Sequence, residues 1–436
     1  MGKYVKQVII LVILLFLAIK GRAREITLQA CFDAAEKNHP ALQKNNELNR
    51  INNLKLKNIQ SSWYPEINLK GKVSNQSDVT SIDIDMTKLV PRENQGKPGS
   101  VPELPDPKPT QYDAALEINQ KIYDFGTTSA QKELIETERK EDLVGVEVDF
   151  QAIKQRISKL YLQILTLQKH KAILESMLED INASLEVVKS GVENGLLLPS
   201  DKYELNARKL ETKQNIANID HTISALYKNL KELTGLEDIN QKNLQTPHVE
   251  LNNNQEIMRP ENKLFRIRRE KLMETSTLKY KQKLPKIGGF VKAGYGRPGL
   301  NMLSGEFATY YIGGIQLSWN IWDWKRNKRE RQILKINKEI LNKSEKSFNK
   351  QIKTGLNQEK ENIAKYQTML ESDSNIITLR KKVLKEYRSK LKNGTITSAD
   401  YIKKLNSLSR AQLNYENHKI KLTNAKINYQ LLRGEL

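Results

Sequence analysis

The period of the apolar positions changes along the chain, and each change marks an element. ITLQACFDAAEKNHPAL places Leu28, Cys31, Phe32 and Ala35 on one face of a short helix interrupted near Pro40, and a second helical stretch runs to about Ser62. From Ile67 the period falls to two. Ile67, Leu69 and Val73 alternate with Asn68, Lys70 and Lys72, and a second alternation sets Leu116, Ile118 and Ile122 against Glu117, Asn119 and Lys121. Two more strands follow later, with Ile287, Gly289, Val291, Ala293 and Tyr295 on one face of the third. Tyr311, Gly313, Ile315, Leu317, Trp319 and Ile321 share a face of the fourth, opposite Gly314, Gln316, Ser318 and Asn320. Each strand pair is thus predicted to have one oily and one wet face.

A heptad seam follows the first strand pair. Steps of three and four from Phe150 reach Val188 through twelve positions, of which only Lys171 is polar. A helix from about Thr127 to Ser190 would extend ~95 Å, beyond the diameter of a compact domain. It stops at Asn194-Gly195, and Ser200 or Asp201 can cap a returning helix to Leu233. The pattern then recurs at a constant offset of 199 residues. Asp124 matches Asp323, Gly195 matches Gly394, Asp201 matches Asp400 and Gly235 matches Gly434. The second seam is interrupted at Asn349, Glu359, Asp373 and Arg380, and Ser398 can cap its returning helix. One structural unit is used twice.

The strand count sets an assembly requirement. The strands reach the ten or so residues of a tilted membrane strand, and aromatics (Trp63, Tyr64, Tyr112, Tyr123, Tyr310, Trp322) crowd their ends as interfacial girdles would. Open strand edges have no hydrogen-bond partners in hydrocarbon, and the smallest membrane barrels need about eight strands. One chain cannot close a barrel, so several would have to share it.

Composition narrows the reading. Residues 110–198 and 299–436 contain no proline, which leaves room for uninterrupted helices. The net charge of +21 is spread along helices and interleaved with Glu and Asp, a solvated face and not a nucleic-acid track. Lys3 and Lys6, the apolar run Val8–Ile19 and Gly21-Arg22-Ala23 make residues 1–23 a secretory signal. Cys31 reads as an unlipidated helix residue. Residues 80–110, with PELPDPKPT, read as an exposed loop, and residues 298–305 as a short turn. The five histidines lack metal-ligand spacing and each reads as a surface residue, no phosphate-binding Gly-Lys motif is present, and neither catalysis nor a cofactor is expected.

In series, the short helices, strand pair, long helix, NG turn, returning helix and LTG, repeated once, resemble the TolC-type outer-membrane efflux proteins. ITLQACFDAAEKNHPAL, WYPEINLKG, KLPKIGGFVKAGYG, IQLSWNIWDWKRNKRER, GLLLPSDKYELNARKLE and GTITSADYIKKLNSLSRAQLNYENHK carry the resemblance. It implies a mainly α fold with membrane β: helical hairpins forming a periplasmic α-barrel, and four strands per chain in a shared 12-stranded outer-membrane barrel. The domains would be the first repeat (24–235), an equatorial linker (236–262) and the second repeat (263–436). The implied protein is a homotrimeric passive exit duct of a tripartite efflux or type I secretion system, set among outer-membrane lipid and docking on a periplasmic adaptor and an inner-membrane pump. Asp400, with Asp201 at the equivalent turn and Lys403 nearby, is the expected periplasmic constriction, a ring favouring cations. Asn194, Gly195, Leu196, Lys390, Asn393, Gly394 and Thr395 are the expected adaptor-docking turns. Ile396 and Lys403 stand where the best-known members carry a basic latch residue and a second ring aspartate. The competing reading is a periplasmic coiled-coil adaptor, and capping of helix N-termini is the competing role for Asp201 and Asp400.

Overall fold

A computed structural model of the chain describes residues 26–80, 108–237, 239, 244–251 and 257–436. The secretory-signal reading of 1–23, and all but the ends of the loop reading of 80–110, lie outside the described residues. In chain order the elements are α1 (Leu28–Asn38), α2 (Pro40–Gln43), α3 (Asn45–Ser61), β1 (Glu66–Asn75), β2 (Thr110–Tyr123), α4 (Thr127–Glu193), α5 (Pro199–Thr234), α6 (Pro260–Lys281), β3 (Lys286–Arg297), β4 (Ala308–Ser318), α7 (Arg326–Lys392) and α8 (Ser398–Arg433). The duplication is visible in these lengths. Both α4 and α7 have 67 residues, and both α5 and α8 have 36.

The chain divides into two compact units, each drawing on both repeats: residues 48–141 with 267–341, and residues 1–47 with 142–266 and 342–436. The first of these holds a single antiparallel sheet in the order β1-β2-β3-β4, so β1 and β4 are its open edges. Register places Leu69 opposite Leu116 and Leu116 opposite Ala293, while Val291 faces Gly313, building one continuous apolar face. Leu69, Ile315 and Leu317 on it are 82%, 76% and 63% exposed, which water would not favour. The other face is polar. There Lys70 pairs with Glu117 (2.6 Å) and Lys292 with Asp113 (2.8 Å). Tyr310 reaches across β3 to Asp113 over Gly294, where a Cβ would lie 2.8 Å from the Tyr310 ring. Tyr310 therefore belongs to the polar face and not to the aromatic girdle that the sequence suggested.

Trp319 and Ile321 were expected in the fourth strand, but it ends at Ser318. Ser318 is the last residue with a partner, Lys286, and the residue before that partner is Pro285, which has no N–H to extend the ladder. Strand leads to helix by the same device in both repeats. Asp124 accepts from the N–H groups of Gly126 (3.1 Å) and Thr128 (2.9 Å), and Asp323 from that of Asn327 (3.0 Å). Both cap amides at the start of a 67-residue helix that have no partner within the helix.

In the helical unit, Ile153, Ile157, Ile164, Ile181 and Val188 of the predicted seam are buried, while Leu160, Leu167, Leu174 and Leu185 are half-buried. Tyr161, one step off the seam, is fully buried, and its hydroxyl lies within hydrogen-bond reach of the carbonyls of Ile26 (2.7 Å) and Gln245 (2.6 Å). Cys31 lies inside α1 with no exposed surface, and burial pushes its thiol up to about 12. Returning helices end alike, Gly235 (φ 67) and Gly434 (φ 79) serving as left-handed caps.

Candidate functional site: the two hairpin tips

Each long helix stops where a glycine takes a positive φ, Gly195 (70) after α4 and Gly394 (66) after α7. The chain reverses within a few residues. Leu196 N–H bonds to Gly191 carbonyl at 2.8 Å and Thr395 N–H to Lys390 carbonyl at 3.0 Å. The two turns meet, because a Cβ on Gly394 would lie 3.2 Å from the Leu196 carbonyl. Beneath them lies one hydrophobic cluster that includes Ile181, Val188, Leu205, Leu384, Leu391, Tyr401 and Leu405, with Leu197 and Ile396 packed against it. Ile396 is therefore a packing residue here.

The capping residues differ from those the spacing suggested. Leu198 precedes α5, Pro199 occupies its first position, and Asp201 folds back to accept from Leu198 N–H (3.3 Å). In the second hairpin Thr397, not Ser398, is the cap: its hydroxyl accepts from Asp400 N–H (3.2 Å) and donates to the Asp400 carboxylate (2.9 Å).

The two aspartates of the repeat have diverged in environment. Asp400 and Lys403 are exposed. Asp201 is 8% exposed, and its second oxygen accepts from the Ser398 N–H at 2.6 Å. One carboxylate therefore satisfies amides at the starts of two helices, α5 and α8, where the helix dipoles favour negative charge. Asn194, Gly195, Leu196, Asn393, Gly394 and Thr395 are exposed at the turns, and the Lys390 ammonium sits 5.5 Å from the centre of the Tyr387 ring.

Two further links escaped sequence reasoning. Arg388 of α7 donates to the Asp180 carboxylate of α4 and lies 3.5 Å from the Tyr401 hydroxyl of α8. His418 of α8 bonds Asp373 of α7 at 2.6 Å, with Tyr366 stacked on its ring. Asp373, an interruption of the second seam, is 9% exposed, so His418 supplies the partner that its burial requires. His170 likewise bonds Asn417 at 2.8 Å, and a ring nitrogen of His39 caps α2.

The chain combines a four-stranded antiparallel sheet with two open edges and two helical hairpins, and it shares this fold with solved outer-membrane channels. Residues 32–236 match the family model for outer membrane efflux proteins, in keeping with the resemblance read from the motifs. The structure is similar to the outer membrane protein VceC from Vibrio cholerae (14% identity, 93% of this chain and 96% of that one, TM-score 0.67). It is also similar to the CmeC outer membrane channel of Campylobacter jejuni (13%, 94% and 85%, 0.66) and to the open state of the Neisseria gonorrhoeae MtrE outer membrane channel (13%, 94% and 89%, 0.67). No functionally curated sequence matches the chain.

Proposed function

We propose that the protein is the passive exit duct of a tripartite efflux or type I secretion system, a homotrimer in the outer membrane whose helical hairpins extend into the periplasm. One observation carries this reading. The four-stranded sheet is apolar on one face, charged on the other and unpaired at β1 and β4, and three such sheets joined edge to edge make a 12-stranded barrel with a polar lumen. A stripe of exposed Ile333, Ile336 and Ile340 (54–56%) on α7 of the same unit supports burial against another chain.

Transport needs no chemistry, so the protein's task is to hold a gate. In this reading the tips close the duct, Asp400 lines the constriction with its two symmetry copies, and the Asp201–Ser398 link fastens one hairpin tip to the other. Opening breaks that link and the contact of Gly394 with Leu196. The turns 194–196 and 393–395, with Lys390, dock a periplasmic adaptor that recruits the inner-membrane pump. A periplasmic coiled-coil adaptor is the weaker alternative, since it has no use for a sheet with an exposed apolar face.

Membrane fractionation followed by unheated gel electrophoresis tests the proposal. A heat-sensitive oligomer about three times the monomer mass in outer-membrane extracts is expected. A soluble periplasmic monomer would overturn it.

A further inference from the structure

The apolar face of the sheet carries one charged side chain. In the outward rows of the four strands (Ile67 to Asn75, Thr110 to Gln120, Ile287 to Arg297, Thr309 to Leu317) every residue is apolar or uncharged except Arg297. It occupies the last rung of β3, opposite Tyr112 and at the end of the sheet farther from the strand-to-helix junctions.

Among the described residues, the guanidinium is held by rings and not by a carboxylate. Its centre lies 5.1 Å from the Tyr112 ring and 5.3 Å from the Phe307 ring, and Phe307 stacks on Tyr295 at 5.4 Å. One donor reaches the Thr110 carbonyl at 3.0 Å, and Nε is buried without a hydrogen-bond partner. Lys70 and Lys292 on the opposite face each have a carboxylate. Tyr112, Tyr295 and Phe307 remain 40%, 54% and 44% exposed, so the cluster is open on the side that the apolar rows face. A guanidinium fixed against aromatic faces keeps its charge and its in-plane donors for an anion.

We propose that Arg297, framed by Tyr112, Tyr295 and Phe307, binds the phosphate of an outer-leaflet lipid headgroup, the rings lying against its upper acyl chains. The proposal rests on the outer-membrane reading above, which puts this rim in the outer leaflet. The phosphate supplies a counter-ion that the described residues do not, and headgroup-level aromatics suit the acyl boundary.

Native mass spectrometry of the detergent-solubilised full-length protein, titrated with lipid A, tests it. Arg297→Gln is expected to lower lipid A occupancy about tenfold, and Arg297→Lys to retain most of it, since an ammonium still offers phosphate a positive point charge. Persistence of the heat-sensitive oligomer in both variants controls for folding. Unchanged occupancy in Arg297→Gln overturns the site, as does equal binding of dephosphorylated lipid A. Displacement of the lipid by inorganic phosphate alone would mean a free-anion site and overturn the lipid assignment. The two readings fail separately, because absence from outer-membrane fractions sinks the location, whereas headgroup-independent binding sinks the site.

Discussion

The Asp201 carboxylate accepts the backbone N–H of Ser398 at 2.6 Å, joining the first hairpin's returning helix to the start of the second's. The bond is buried, so its loss is not made good by water. Replacing Asp201 by Ala strands the buried Ser398 amide, a cost of about 1–3 kcal/mol. The tip should loosen. Single-channel recording in planar bilayers is expected to give larger or more frequent openings for Asp201→Ala, and a conductance distribution identical to the parent protein would exclude Asp201 as a fastening.

Asp400 separates charge from capping. Asp400→Asn keeps an oxygen for Thr397 and leaves the backbone bond from Asp400 N–H to Thr397 intact. Only a few tenths of a kcal/mol of helix-dipole interaction should be lost. Reversal potentials in a salt gradient should shift toward zero if a ring of these carboxylates favours cations. Unchanged selectivity with unchanged stability leaves Asp400 as a cap and nothing more.

These two residues also mark how far local pattern carries. The 199-residue offset makes Asp201 and Asp400 equivalent, and the alternation, the NG turns and the 67-residue helices follow from period and glycine placement. Their environments do not follow, because one is buried against the other hairpin and one faces solvent. Arg388 with Asp180 and His418 with Asp373, pairs 208 and 45 residues apart in sequence, are set by the register between helices. No local spacing encodes that register. The error at Trp319 and Ile321 is of the same kind: alternation continued, but the partner strand did not.

Acid should weaken the unit that holds the sheet, through Glu141. Burial pushes its carboxyl up, but hydrogen bonds from Arg268 (2.9 Å) and Lys271 (3.0 Å) and their charges outweigh it, leaving the pKa below the ordinary value of 4.5. A depressed carboxylate contributes stability that is complete above its unfolded pKa and is lost as pH falls through the folded one. Glu141→Gln should therefore lower Tm at pH 7, and the difference should shrink as the pH falls well below 4.5. A Tm difference that is constant with pH would show that the ion pairs contribute nothing.

The Asp373–His418 pair offers a four-member mutant cycle. Asp373 occupies a seam position whose neighbours in the pattern, Leu370 and Ile377, are apolar, and His418 is its partner at 2.6 Å. His418→Leu alone leaves a carboxylate that is 9% exposed without its partner, which should cost about 1–3 kcal/mol. Asp373→Leu alone leaves the imidazole stacked on Tyr366 with a donor or acceptor unmet, a smaller loss because the ring is more exposed. With both replaced, the seam runs apolar from Leu370 to Ile377 and no polar group is stranded, so the double variant should be more stable than His418→Leu and close to the parent. Thermal unfolding in detergent measures all four corners. Additive losses would mean that the two side chains act independently and that the interruption of the seam has no paired role.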